Sequence, residues 1–254
     1  MTSTLKADVL QSKTTNGDLT ISGDGSGVPN LEAGFKVGGT VGVPISDLRP
    51  TGTATHVLTS NGAGSAPTFQ AASAGGLASV QVFTATGTWT KPAGISSVRV
   101  QLVGGGAAGN HSGYGGGAGG YSEEFIDVSA VSTVAVTVGA AVAGNTAGNT
   151  SSFGSYLSAT GGSLGASAYG GLGGVGTGGD INTYGGGGGY HDGAASSSGG
   201  SSYFGGGQQG RGSTFGTNTA AHLAYGGGGI GVYNGYTQGA NSVGGLVVVW
   251  EYGG

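Results

Sequence analysis

Few side chains in this sequence have the types and spacing that chemistry needs. His111, His191, Asp192 and His222 are the residues from which a metal site could be assembled. Their spacings match no standard ligand pattern, and no His-x-His pair occurs. A single histidine from each of three chains, meeting on an axis, is the arrangement this leaves open. Glu123, Glu124 and Asp127 are the closest carboxylates. Glycosidic cleavage needs a facing acid pair, and neighbours in a strand point to opposite faces, so Glu123 and Glu124 read as a polar edge. Asp180 and Asp192 could meet another carboxylate only through the fold. Gly104-Gly105-Gly106-Ala107-Ala108-Gly109 matches G-x-G-x-x-G and follows a strand-like run. The residues after it, Asn110 to Gly115, cannot make the amphipathic helix whose N-terminus would hold a pyrophosphate. Gly210-Arg211-Gly212 stands alone in a chain of net charge −4, whereas phosphate binding needs several cations. The expectation is a non-enzymatic chain with no catalytic residue, metal or cofactor and no nucleic-acid partner.

What remains is dominated by glycine. Of 64 glycines, 53 fall after residue 74, in runs such as Gly104-Gly105-Gly106, Gly115-Gly116-Gly117, Gly185 to Gly189 and Gly226 to Gly229. Each glycine held in one conformation costs roughly 0.5–1 kcal/mol relative to alanine, so ordering roughly fifty costs on the order of tens of kcal/mol. Two gains offset this: positive φ, and backbones packed on backbones with no Cβ between them. Hydrophobic residues make up 36% of the chain and charged residues 7%. The low charge separates it from disordered polyelectrolytes, and the thin apolar content leaves backbone hydrogen bonding to hold the fold. There is no cysteine, which removes disulfides and thiolate metal sites. Met1 to Lys6 lacks the apolar core of a signal peptide, and no stretch approaches ~18 apolar residues. Synthesis as a soluble cytoplasmic protein is expected.

The pattern changes near residue 75. Residues 1–74 carry short extended pieces, Ala7 to Gln11, Asp18 to Ser22, Gly34 to Val37 and His56 to Thr59. Turn signals such as Asn16-Gly17 and Asn61-Gly62 separate them. Thin strands are marginal alone, and three copies wound about one axis would bury one another's apolar residues. An extended homotrimeric stalk is expected, with a disordered linker as the alternative.

Residues 75–254 predict five strands, over Leu77 to Thr86, Ser97 to Val103, Glu124 to Val128, Thr133 to Val138 and Leu246 to Trp250. Trp89 to Gly94 reads as the connection between the first two. The predicted fold class is all-β, a small β framework enclosing a glycine-rich tip. Between Val138 and Leu246 no segment offers a helical apolar stripe. Polyglycine-II-like packing suits this region: extended helices of three residues per turn have no internal hydrogen bonds, and glycine lets neighbours bond laterally. A flexible silk-like tract is the alternative. Residues flanking the glycine runs are expected in loops at the ends of the slab. The candidates for contact with a receptor are Asn110, His111, Tyr184, Tyr190, His191, Asp192, Tyr203, Phe204, Gln208, Gln209, Tyr225, Tyr233, Asn234 and Tyr236. Tyr with Ser, Gly and Asn is also the mixture that antibody paratopes use.

Three stretches carry a family resemblance. Gly87-Thr88-Trp89-Thr90-Lys91-Pro92-Ala93-Gly94, then Val98-Arg99-Val100-Gln101-Leu102-Val103-Gly104-Gly105-Gly106, and finally Gly244-Gly245-Leu246-Val247-Val248-Val249-Trp250-Glu251-Tyr252 together resemble the glycine-rich domain at the tips of bacteriophage tail fibres. Val57 to Gln70 is similar to a segment that recurs in phage fibre proteins just before the tip. Residues 57–254 are nearly covered, and residues 1–56 carry no assignable motif. The glycine runs also resemble, in style alone, the polyglycine sandwiches of T-even-like tip adhesins. The resemblance implies a virion fibre, made in the host cytoplasm, whose tip contacts the host surface. Attachment to other tail or baseplate proteins would fall to the N-terminal region. The loop composition suits a surface glycan or an outer-membrane protein. A virion decoration or fibre cap without receptor binding is the leading alternative, and a polysaccharide depolymerase the third.

Overall fold

The protein is described by a computed structural model that covers residues 36–37, 40–41, 56–71, 75–166, 169–191, 196–210, 224–232 and 239–253. Among them every regular element is a β-strand and none is a helix. The chain divides into two units, Met1–Ala72 and Ser73–Gly254.

In the first unit, β1 (Lys36–Val37) pairs antiparallel with β2 (Thr40–Val41). Likewise β3 (His56–Thr59) pairs antiparallel with β4 (Thr68–Ala71). Asn61 fixes the loop of the second hairpin, because its side-chain amide donates to the Ala66 carbonyl at 2.8 Å and to Thr68 Oγ1 at 3.0 Å. Gly62 and Gly64 take up φ of 93° and 84° there. The extended pieces expected over Ala7 to Gln11 and Asp18 to Ser22 lie outside the described residues.

The second unit holds two five-stranded antiparallel sheets. One has the order β12-β11-β10-β9-β6, built from β6 (Gly87–Thr90), β9 (Thr133–Thr137), β10 (Ser151–Phe153), β11 (Leu157–Ala159) and β12 (Gly176–Thr177). The other has the order β13-β8-β7-β14-β5, built from β5 (Leu77–Phe83), β7 (Ile95–Val103), β8 (Tyr121–Asp127), β13 (Ile181–Thr183) and β14 (Leu246–Gly253). Their facing residues make one apolar core that includes Trp89, Val98, Val100, Leu102, Val134, Val136, Phe153, Val247 and Val249. The period-2 alternation of β7 and β9 directs these residues inward. All five strands expected from the sequence are present. Trp89-Thr90, read as the start of a connection, belongs instead to β6 of the opposite sheet. It supplies the largest fully buried side chain, Trp89.

Glu251 lies in this core with no exposure. A buried carboxylate is costly unless donors surround it. Trp89 Nε1 donates to it at 2.7 Å, Gln81 Nε2 at 2.6 Å, and the Ser79 hydroxyl also donates. Trp89 belongs to one sheet and Glu251 to the other, so the bond ties the two together. Nearby, Lys91 donates to the Val128 and Ser129 carbonyls at 3.0 and 2.8 Å, holding the β8–β9 turn.

The glycine runs lie outside the strands and bond laterally in a repeat of three. In segment 113–120, the Gly115 and Ala118 amides donate to the Gly189 and Gly186 carbonyls, those of Gly116 and Gly119 to Gly229 and Gly226, and those of Gly117 and Gly120 to Ser163 and Thr160, at 2.8–3.1 Å. Carbonyls of the same segment accept with the same period. Tyr114, Gly117 and Gly120 accept from Asn110, Ala107 and Gly104; Gly115 and Ala118 from Gly171 and Gly174; Gly116 from Gly200. Six segments therefore surround 113–120: 104–110, 160–166, 169–175, 184–190, 196–202 and 226–232. Each is also hydrogen-bonded to the next, closing a ring. Segment 104–110 repeats the device, with the Gly105 and Ala108 amides on the Asn149 and Thr146 carbonyls and the Gly106 and Gly109 amides on those of Val243 and Ala240.

Such spacing leaves no room for side chains at the contacts. A Cβ on Gly116 would sit 2.2 Å from the Ala107 carbonyl oxygen, and one on Gly109 would sit 1.7 Å from that of Ile230. Gly187, on an outer segment, would meet only the Gly171 carbonyl, at 3.4 Å. We expect Gly116→Ala to lower stability by more than about 3 kcal/mol or abolish folding, and Gly187→Ala to change it by less than about 1 kcal/mol in either direction. Denaturant unfolding of the two variants checks the pair. Trp89→Phe keeps a ring in the core but removes a donor from Glu251, and should cost about 1–3 kcal/mol in the same measurement.

Candidate functional site

The sequence-derived candidates separate into three groups by where the main chain carries them. Asn110 and His191 belong inside. Asn110 is buried and closes the turn between segments 104–110 and 113–120. Its Oδ1 accepts from the Ser112 and Tyr114 amides at 3.0 and 2.9 Å, while its Nδ2 donates to the Gly165 carbonyl at 2.7 Å. His191 is buried against Gly113 and meets the Tyr114 ring edge-on. Neither side chain is presented at the surface as the sequence reading supposed, because each fills the space behind a turn. His111, between them in sequence, is exposed, and its backbone amide donates to Asn145 Oδ1 at 3.1 Å.

A second group covers the outer face of the β13-β8-β7-β14-β5 sheet. The Tyr203 ring stacks on Tyr121 with centroids 3.6 Å apart and 13° between planes, and Phe204 meets Tyr121 edge-on. Phe204 also packs on Val103, Leu246 and Val248. Beneath them is a polar network. Glu123 accepts from Arg99 Nε at 2.6 Å, from Gln101 Nε2 at 3.1 Å and from the Tyr121 hydroxyl. Trp250 Nε1 donates to Gln101 Oε1 at 2.9 Å. The Arg99 hydrogen bond, with those of Tyr121 and Gln101, holds the Glu123 carboxyl down at about 2. Burial, and then the bond to that carboxylate, push the Tyr121 phenol up. Gln208 is half-buried, its Oε1 accepting from the Ile230 amide at 3.2 Å; Gln209 is exposed, and Tyr225 is 37% exposed.

The third group faces outward. Tyr184 is 76% and Tyr190 60% exposed, and they stand six residues apart with exposed Gly187 midway. The neighbouring segment runs antiparallel to theirs, with the Gly185 and Gly188 amides on the Gly174 and Gly171 carbonyls. It carries Tyr169 and Leu172, 76% and 72% exposed, at its own outward positions three residues apart. Two adjacent segments thus present one apolar and aromatic face on a backbone that is fixed beneath it. Tyr169 and Leu172 were missed by the sequence reading, yet Tyr169-Gly170-Gly171-Leu172-Gly173-Gly174-Val175 displays the repeat of three. Asp192, His222, Tyr233, Asn234 and Tyr236 lie outside the described residues.

Among the described residues no three His, Asp or Glu side chains group as metal ligands. No protein-family model matches the chain, and no curated protein matches it in sequence.

The depressed Glu123 carboxyl has a consequence for stability. Its folded-state value lies below its ordinary 4.5, so the stabilisation is complete above about pH 5 and is lost as pH falls through 4.5 toward 2. Glu123→Gln should be less stable than the parent chain at pH 7, with the difference shrinking between pH 4.5 and 2. Thermal unfolding across that range checks it.

Proposed function

We propose that this chain is a bacteriophage tail fibre protein whose glycine-rich tip binds the host surface during adsorption. The observation that carries the reading is the outward row of Tyr169, Leu172, Tyr184 and Tyr190. Large apolar side chains held together in water mark interaction sites, and these four stay 60–76% exposed, the Tyr190 ring also meeting that of Tyr114 at 5.9 Å. The repeat of three in the lateral hydrogen bonds fits a polyglycine-II lattice, whose rigidity lets tyrosines bind without loss of backbone freedom. Tyrosine rings suit the apolar faces of sugars and their hydroxyls suit sugar hydroxyls. The chemistry is shared by a surface glycan and the glycosylated or aromatic rim of an outer-membrane protein.

The family resemblance supports the same reading from another side. Trp89 and Glu251, which come from its first and last motifs, are hydrogen-bonded to each other, so the motifs act as one device that closes the tip. In this reading the N-terminal region forms an extended homotrimeric stalk that joins other tail or baseplate proteins, and several weak tips on one particle raise avidity. The function needs neither cofactor nor nucleic acid, and no catalytic step.

The test is saturable binding of the labelled full chain to a panel of Gram-negative cells, to purified lipopolysaccharide, and to protease-treated cells. We expect Tyr184→Ser with Tyr190→Ser to keep the fold, since both are exposed, and to weaken binding at least tenfold. Loss of binding after protease treatment assigns the receptor to a protein, and binding to lipopolysaccharide assigns it to a glycan. A well-folded chain that binds no cell would overturn the adhesin reading and leave a structural virion component.

A further inference from the structure

The outer face of the β13-β8-β7-β14-β5 sheet is covered at one end and bare at the other. Cross-strand register places Val82 beside Val248, Val80 beside Trp250, and Trp250 beside Arg99, which pairs in turn with Phe125. Strand alternation therefore puts Val80, Val82, Trp250 and Phe125 on one face, opposite the core. Phe204 and Tyr203 cover the Val103 and Leu246 end of it. Away from that cover, Val82 is 59% exposed, Phe125 56%, Leu77 52% and Val80 40%. The Phe125 and Tyr252 rings lie 5.7 Å apart across the same face. β5 is also the last strand of its sheet and leaves one edge unpaired within it.

We propose that this face is a contact between copies of this chain. The inference rests on the reading of the protein as a homo-oligomeric fibre and names the surface through which its tips associate. Charge agrees with a self-contact. Arg99, at the centre, is closed onto Glu123 at 2.6 Å, so the middle of the face carries a neutral pair, and the remaining charge of β8 on this side, Asp127, sits at the Ser97 and Tyr252 end under the attraction of Lys91. Area agrees as well. Half-exposed side chains of this size offer on the order of 500 Å², and two such faces together reach about 1,000 Å², the lower bound for a specific interface.

A second observation points to the same partner. The β3–β4 hairpin exposes Val57 at 51%, Leu58 at 59% and Phe69 at 36%, and a two-stranded hairpin does not stand alone in water.

The chain lacks cysteine, so one introduced thiol is a clean reporter. In the full chain, Val82→Cys treated with a short bismaleimide should yield covalent dimers. Ala135→Cys, exposed on the opposite sheet, should not. Val80→Glu with Val82→Glu sets like charges against each other and should raise the dissociation constant of the assembly at least tenfold by analytical ultracentrifugation. An oligomeric chain that gives no Val82→Cys dimers, or whose assembly ignores the two glutamates, would overturn the inference and leave the fibre reading intact. A monomeric parent chain would overturn the inference and the trimeric stalk together, while bacterial binding by the same preparation decides the receptor reading separately.

Discussion

Everything in the second unit depends on one constraint: the backbone of segments 104–110 and 113–120 has no hydrogen bonds of its own to spend inward. Its amides and carbonyls point sideways, so each must be met by another segment's main chain. A buried peptide group left unmet costs as much as a lost hydrogen bond. Meeting it requires backbones closer than a Cβ allows, as the carbonyl oxygens around Gly104, Gly106 and Gly119 make plain at 2.0–2.2 Å from where a Cβ would lie. The glycine content is thus a steric requirement of the hydrogen bonding. Asn110 and Tyr114 stand at the ends of these two central segments, and between them Ala107, Ala108 and Ala118 are the non-glycine residues, fully buried where the lattice leaves a methyl's worth of room.

The two sheets solve a different problem. A main-chain lattice offers little apolar surface, so it gains little from the hydrophobic effect, and its segments need their ends held in register. The sandwich supplies this. Segment 104–110 leaves directly from β7, segment 113–120 enters β8, and segment 239–245 runs into β14. Those three strands are neighbours in the order β8-β7-β14. The core beneath them, clamped by Trp89 on Glu251, therefore fixes where the central segments begin.

Sequence reading recovered the long strands because β7, β9 and β14 carry β-branched residues with a clear inward set, such as Val98, Val100 and Leu102. It lost β6 because Thr88-Trp89-Thr90 is too short to show alternation and is followed by Lys91-Pro92, which reads as a turn. β10 to β13 are two or three residues long and have no local signal; their pairing is decided by the segments they border. Among the candidate residues, Tyr184 and Tyr190 are exposed as the sequence reading expected. Asn110 and His191 misled for the reason that made them attractive. Polar residues at a segment end also serve to finish the backbone hydrogen bonding of the turn, and composition alone does not tell the two uses apart. Tyr203 and Phe204 lie between these cases, turned back onto Tyr121 by a bridge between Ser202 and Gly205. The period of three along 169–175 was legible but is meaningless until the lateral lattice gives it a face.

The outward positions of that lattice have a further property. In an ordinary core, changing one side chain disturbs the jigsaw of its neighbours. Here the segments beneath the surface are joined through atoms that every amino acid shares, and Tyr169, Leu172 and Tyr184 on the outer segments are more than 70% exposed. These three and Gly187 are therefore places where the chain can exchange one residue for another with almost no consequence for folding. Displayed chemistry and structural integrity are encoded at separate positions, so a lineage under pressure to recognise a new surface could explore many combinations while inheriting the same body.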